Sequence, residues 1–243
     1  MKAMIFAAGL GTRLKEITAS IPKALVTVDG ISVLARAVDY CTAGGFGDII
    51  INVHHHADLV KEEVEKLRAE GYRITLSDES DGLLETGGGL WKARDFFDTR
   101  PFLLYNVDII TDLDLKTFYN YFLSNKCLAA VAVRERPGKR FLLTDRSGRL
   151  CGWCNDETGE KKIPGEARGE LIKIANSSVH IADPEIFKYM EPGVYSLVAL
   201  YLKLIEEHDI MTYRHDGGYW FDIGTPDNLE TARSYLEKRK GRG

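Results

Sequence analysis

Short unbroken apolar runs alternate with segments whose apolar residues recur every three or four positions. Met4-Ile-Phe-Ala-Ala8, Asp48-Ile-Ile-Ile-Asn-Val53 and Pro101-Phe-Leu-Leu-Tyr105 are too short for helices and show no polar alternation. They are expected to be strands covered on both faces. Between them, Ser32 predicts the N-cap of a helix through about Thr42, stopped by Gly44-Gly45. Leu59, Val60, Val64 and Leu67 mark one face of a helix from Ala57 to Glu70, ended by Gly71. Tyr72 to Leu76 alternates as a strand, and 77–85 is a polar loop. Thr86 is expected to cap a glycine-rich helix running to Arg94. Strand–helix alternation of this kind implies a parallel sheet with helices on both faces.

The pattern changes after the strand ending at Asn106. A helix is predicted near 115–122, then a buried run, Cys127-Leu-Ala-Ala-Val-Ala-Val133. Strands are predicted at 140–144, 149–154 and 171–181 around a polar insert, 156–169. Helices are expected at 184–190, 196–207 and 226–238, with a last short strand at Tyr219–Ile223. No composition break marks a linker and no repeat is present. The expectation is one domain, 1–243, with a first half to about 112 and a second half from 113 that extends the sheet and walls a cleft. Ligands of open sheets lie beyond the carboxyl ends of the strands. Gly9–Arg13, Asn106–Asp108 and Asp222 all fall at such ends.

Gly9-Leu-Gly11 therefore stands where a buried strand must turn. Glycines there let a ligand approach the main chain, and exposed N–H groups attract phosphate. Thr12 adds a hydroxyl, and Arg13 and Lys23 add fixed positive charge. The run is not a dinucleotide fingerprint, because the third glycine would fall at Leu14, and it lacks the Gly-Lys-Ser/Thr ending of a phosphate-binding loop. Asp108 and Asp222 offer two carboxylates to a Mg²⁺ ion, which prefers oxygen ligands and keeps positions for water and phosphate. Asp112 and Asp114 are better read as caps on the following helix.

Composition narrows the classes. The 243 residues are 44% hydrophobic with a formal net charge of −4, which disfavours a nucleic-acid partner. The basic tail after Lys238 is too short to alter that. No apolar run approaches a membrane span, and the apolar start leads straight into the glycine turn rather than a leader. Four cysteines (41, 127, 151 and 154) form no disulfide framework, so a reduced cytoplasmic location is the expectation. Cys151-Gly-Trp-Cys154 is expected to lie in a strand. His54-His-His56 is expected to be a polar loop before a helix. Trp153, Tyr219 and Trp220 are candidates for stacking or for packing.

Taken together, Gly-Leu-Gly-Thr-Arg-Leu (9–14), Pro22-Lys23-Ala-Leu, Leu84-Glu-Thr-Gly-Gly-Gly89, Asn106-Val-Asp108 and Phe221-Asp-Ile-Gly-Thr225 resemble the sugar-1-phosphate nucleotidyltransferases. Order and spacing fit across nearly the whole chain. The Glu-Thr-Gly-Gly-Gly run is most similar to the N-acetylmuramic acid 1-phosphate uridylyltransferases and their mannose-1-phosphate guanylyltransferase-like relatives. The resemblance implies a Rossmann-like three-layer fold around a mixed, mainly parallel sheet. It implies NTP (UTP or GTP) and a sugar 1-phosphate as partners, and Mg²⁺ as cofactor.

By the same resemblance, Ala8, Gly9, Gly11, Thr12, Arg13, Thr86, Gly87 and Asn106 contact the nucleotide. Arg13 and Lys23 handle the reacting phosphates, Asp108 and Asp222 hold the metal, and Asn155 and Asn176 face the sugar. The family usually has glycine at Val107 and Ser178, glutamate at Asn155 and proline at Ala24. These departures touch the sugar pocket rather than the phosphate-handling set. A phosphocholine cytidylyltransferase and a non-catalytic nucleotide-sugar sensor are the alternatives. The chain ends soon after its last helix, so no appended acyltransferase domain is expected.

Overall fold

In the computed structural model, which describes residues 1–9, 11–14, 18, 21–165 and 169–240, the first apolar run forms strand β1 (Lys2–Phe6). Its side chains alternate between two cores. Ala3 and Ile5 enter one, and Met4 and Phe6 the other. Period-two projection from a strand covered on both faces explains why its sequence shows no polar positions after Lys2.

A two-stranded ribbon, β2 (Thr27–Val28) and β3 (Ile31–Ser32), leads into helix α1 (Val33–Ala43). The Ser32 hydroxyl accepts from the Ala35 N–H at 3.1 Å, capping α1 as its sequence predicts. Strand β4 (Asp48–Val53), helix α2 (Ala57–Ala69) and strand β5 (Arg73–Asp78) follow. Next come helix α3 (Glu85–Lys92), strands β6 (Phe102–Asn106) and β7 (Ile109–Thr111), and helix α4 (Leu115–Asn125). Asp114 caps α4, accepting from the Lys116 and Thr117 N–H groups at 2.9 and 3.1 Å. Asp112 is not a cap; it lies 3.7 Å from Arg239.

The second half supplies β8 (Ala129–Arg134), β9 (Arg140–Thr144), β10 (Leu150–Asn155), β11 (Lys161–Lys162) and β12 (Ile172–Ala182). Helix α5 (Leu197–Leu204), strands β13 (Ile210–Arg214) and β14 (Trp220–Asp222), and helix α6 (Pro226–Lys240) complete the chain. Residues 184–189 form 3₁₀ turns rather than the expected α-helix, with Pro184 in the first turn and Asp183 capping it.

Ten strands make one mixed sheet. Its path runs β11-β10-β9-β12-β6-β1-β4-β5, with β8 on β12 and β13 on β8. The β6-β1-β4-β5 portion is parallel, whereas β12 pairs antiparallel with β6, β8 and β9. The chain crosses from β1 to β4 on one side and later enters β6 on the other. Order therefore reverses at β1, and the crevice opens beyond its carboxyl end, where Gly9 lies.

A separate ribbon pairs β7 with β14 antiparallel, with Ile109 opposite Asp222. The Ile223 N–H donates to the Asp108 carbonyl at 3.0 Å. Two carboxylates 114 positions apart in sequence are thereby fixed side by side.

Candidate active site

Two cavities share the crevice. One, of about 390 Å³, is lined by Ala8, Gly9, Gly11, Arg13, Thr86 and Asn106, with Lys23 and Asp108. The other, of about 880 Å³, is lined by Asn176, Ser178, Trp153 and Arg136, with Asp222.

The two glycines of the turn have different reasons to be glycine. Gly11 has a φ of +64°, and a Cβ there would come within 3.0 Å of Thr18 and 3.3 Å of Lys23 Cβ. Gly9 needs no positive φ, and a Cβ on it would meet no protein atom within 4 Å. Gly11 is required by the backbone, whereas Gly9 leaves open space toward the cavity. The turn is braced from beneath. Asn52 at the end of β4 accepts from the Ala7 N–H at 2.8 Å and donates to Glu79 at 2.8 Å. Glu79, fully buried, also accepts from the Leu84 N–H at 3.3 Å. Burial pushes the Glu79 carboxyl above the usual range. Neither residue was singled out from sequence, although a polar Asn52 inside an apolar run was the available signal.

Asp108 and Asp222 meet over Lys23. The Lys23 ammonium donates to Asp108 Oδ2 and lies 4.0 Å from Asp222 Oδ1. Arg13 stands 3.6 Å from Asp222 but is mostly exposed, so that contact contributes little to stability. Burial, and then the neighbouring Asp108 charge, raise the Asp222 carboxyl above its ordinary value, against the pull of Lys23. The pair is thus a cation-seeking site. The described residues contain no group of three or more His, Cys, Asp or Glu side chains placed to hold a metal. Two hard oxygen donors with open positions suit a divalent ion that keeps water and phosphate ligands better than one needing a full protein cage.

Thr86 lines the smaller cavity but lies inside α3, not at its N-cap; its hydroxyl accepts from the Leu197 N–H at 2.9 Å, tying α3 to the start of α5. Two other expected positions fall elsewhere. Gly87 is buried away from the cavity. Its N–H donates to the Tyr195 carbonyl at 2.8 Å, and a Cβ there would lie 2.4 Å from the Tyr195 ring. Close helix packing, rather than a ligand, accounts for that glycine. Asn155 does not line the crevice. It is 8% exposed, and its amide oxygen accepts from the Glu157 N–H at 3.0 Å in the turn after β10. The side chain of Thr12 lies outside the described residues.

Asn176 and Ser178 sit on an irregularity of β12, where register shifts between Asn176 and His180. Asn176 Oδ1 accepts from the Ser178 N–H at 2.7 Å, and Ser178 has a φ of +59°. A bulge residue in the left-handed region explains why glycine suits this position, and Ser178 carries local strain in its place. Arg136, after β8, stacks on Trp220 at 4.5 Å and donates to the Asn176 carbonyl at 3.1 Å. Sequence reading passed it over, although Arg-Glu-Arg-Pro after a buried strand marks a strand end.

Other candidates have structural places. Cys151 and Cys154 are free thiols on β10, both raised by burial. His54 contacts the Glu79 carbonyl at 2.7 Å, and His56 precedes α2 in a left-handed conformation. Tyr219 packs against Phe221 and Tyr235.

The sequence profile described as nucleotidyl transferase matches residues 2–141. The chain belongs to that family. An N-acetylmuramate alpha-1-phosphate uridylyltransferase from Caulobacter vibrioides is 30% identical over 242 residues, covering 96% of each chain. A mannose-1-phosphate guanyltransferase from Schizosaccharomyces pombe is 27% identical, covering 99% of this chain and 66% of that one. In fold, the crystal structure of a putative glucose-1-phosphate thymidylyltransferase from Bacillus anthracis superposes with a TM-score of 0.82 at 20% identity, covering 97% of this chain and 94% of that one. The chain is an enzyme of the sugar-1-phosphate nucleotidyltransferase type. No helix among the described residues is long and apolar enough to cross a membrane.

Proposed function

We propose that the protein joins an NTP to a sugar 1-phosphate, giving an NDP-sugar and pyrophosphate. The observation that carries this reading is the pair of adjoining cavities meeting at Lys23, Asp108 and Asp222. The nucleotide occupies the glycine-lined cavity of the first half, about 1–112, and the sugar phosphate the cavity walled by the second half. The lean is to UTP and an N-acetylmuramic acid or similar hexose 1-phosphate, supported by the 30% identity to the Caulobacter uridylyltransferase. GTP with mannose 1-phosphate is second. The four free cysteines suit a reducing compartment such as the cytoplasm.

A sugar phosphate has a second pKa near 6 and is mostly dianionic at neutral pH, so its oxygen attacks the α-phosphorus without a general base. The obstacle is bringing two anions together and spreading charge over the leaving pyrophosphate. Lys23, 11% exposed, is placed to sit between attacking and attacked phosphates. Arg13, mostly exposed and 3.6 Å from Asp222, would meet the leaving β,γ-phosphates. Ala8, Gly9 and Gly11 present main chain to the phosphates, and Asn106 lines the same wall. Asp108 and Asp222 would hold Mg²⁺, which when bound neutralises phosphate charge.

Choline phosphate is a poor fit. The larger cavity is lined by Arg136, Arg140, Lys162 and Lys203 against the single carboxylate of Asp222, which repels a quaternary ammonium. Measuring pyrophosphate release from each of four NTPs against a panel of sugar 1-phosphates, with and without Mg²⁺, tests the reading. Metal-dependent release with at least one sugar is expected. Silence across the panel would support a binding protein, and release with CTP and choline phosphate would support the other transferase.

A further inference from the structure

Two anions meet in this crevice, and its cations are unevenly shared between them. On the side of the smaller cavity stand Arg13 and Lys23, and the Lys23 ammonium is already bonded to Asp108. Arg136, Arg140, Lys162 and Lys203 line the larger cavity. The last three are exposed residues, whereas Arg136 is half-buried.

The Arg136 guanidinium is held in place without being neutralised. It stacks on Trp220, 4.5 Å from the ring, and donates to the Pro137 and Asn176 carbonyls at 3.2 and 3.1 Å. Its Nε is shut off from solvent and has no partner. A guanidinium carries more N–H donors than these two bonds use. Burial works against its charge, and the Asp222 carboxylate works for it. Asp222 is itself nearer to other cations, with Arg13 at 3.6 Å and Lys23 at 4.0 Å.

The frame around Arg136 is continuous with the seam. Trp220 and Asp222 lie two positions apart on β14, so they share a face, about 7 Å apart along the strand. Trp220 Nε1 donates to the Ser177 carbonyl at 3.0 Å, which ties β14 to the bulge carrying Asn176 and Ser178. Asp222 thus has one arginine on the side of each cavity, Arg13 on the smaller and Arg136 on the larger.

Resting on the nucleotidyltransferase reading, we propose that Arg136 receives the phosphate of the sugar 1-phosphate, donating to its non-bridging oxygens while another of them attacks the α-phosphorus. Arg13 then meets the charge that leaves, and Arg136 the charge that arrives. A guanidinium already fixed by an indole and two carbonyls needs little reorganisation when that phosphate binds. A lysine at the same place would keep the charge but lose the stack and the planar fork.

The test separates the two substrates. KM for the sugar 1-phosphate and for the NTP, kcat and the thermal midpoint are measured for the wild-type chain, Arg136→Lys, Arg136→Gln and Arg136→Ala, the last with and without millimolar guanidinium. Arg136→Gln is expected to lower kcat/KM for the sugar 1-phosphate roughly ten- to hundred-fold, the loss of one or two charge-assisted hydrogen bonds, while KM for the NTP stays within about three-fold. Arg136→Lys is expected to fall between wild type and Arg136→Gln. Added guanidinium is expected to restore part of the activity of Arg136→Ala and none to the wild type. Unchanged kinetics for the sugar 1-phosphate overturn the inference while leaving the nucleotidyltransferase reading intact. So does a loss shared equally by both substrates, accompanied by a lower thermal midpoint and indifferent to guanidinium, which would make Arg136 a tie between β12 and β14 only. Absence of pyrophosphate release from the wild-type chain with every acceptor overturns the parent reading, and the inference with it.

Discussion

The two cavities are built by different means. The smaller one is made of main chain at the end of a parallel sheet, with a glycine turn braced by Asn52 and Glu79 and with the Lys23–Asp108 pair in place. The larger one is made of side chains, many on antiparallel strands, with a bulge at Ser178 and several Arg and Lys residues in its lining. Backbone geometry tolerates few residue types, so it fixes a chemistry that many substrates share. Side chains on a strand face vary freely, so the proposed function puts selection of the sugar on that wall. On that reading, reaction class and sugar identity reside in separate parts of one crevice.

The largest effect that can break this comparison is at the shared seam. Asp108→Asn is expected to lower metal-dependent turnover by roughly 10³-fold with every acceptor, while circular dichroism shows the fold retained. Lys23→Met is expected to cost on the order of 10²–10³, as for loss of a preorganised donor. If either loss depends on the sugar offered, the seam is not common to both substrates.

A smaller effect separates the two glycines. Gly9→Ala places its methyl in open space, so the thermal midpoint is expected to stay within about 1 °C while nucleotide binding weakens roughly ten-fold. Gly11→Ala forces an alanine into the left-handed region and is expected to cost about 1–2 kcal/mol of stability. Thermal unfolding and nucleotide titration of the two variants check both outcomes.

Acid sensitivity is expected to track the second half. Burial lowers His180 to about 3 and His215 to about 4. Both lie below the unfolded value near 6.5, so between those limits the unfolded chain binds more protons. Their contribution is present above pH 6.5 and lost as pH falls toward 3–4. At pH 5 His180 alone is expected to cost about 2 kcal/mol. His180→Gln should flatten the fall of the thermal midpoint between pH 7 and 5; an equally steep fall would place the sensitivity elsewhere. The smallest effect concerns the bulge. Ser178→Gly relieves the positive φ at the expense of a more flexible unfolded chain, and is expected to raise stability by at most about 1 kcal/mol in denaturant titration.

The same division decided what could be read from sequence. The buried runs at 4–8, 48–53 and 101–105 announced β1, β4 and β6, because strands covered on both faces admit mostly apolar residues. Gly9, Asp108 and Asp222 were visible as chemistry out of place at strand ends, and Lys23 as fixed charge shortly after the glycine turn. The N-cap role of Thr86 and the cavity position of Gly87 were misread because both depend on Tyr195 and Leu197, a contact between α3 and the segment entering α5 that no local pattern encodes. Asn155 failed for a related reason: the turn after β10 draws its amide inward. Arg136 went unnoticed because its meaning comes from Trp220, more than eighty positions away.

The central claim is attack on the α-phosphorus across the Lys23–Asp108–Asp222 seam. Its most direct measurement follows an NTP carrying distinguishable labels on the α- and γ-phosphates, incubated with a sugar 1-phosphate and Mg²⁺. The account predicts that the α label appears in the NDP-sugar and the γ label in pyrophosphate, only when both acceptor and metal are present. Release of the γ label as orthophosphate, or NTP bound without turnover, would contradict it.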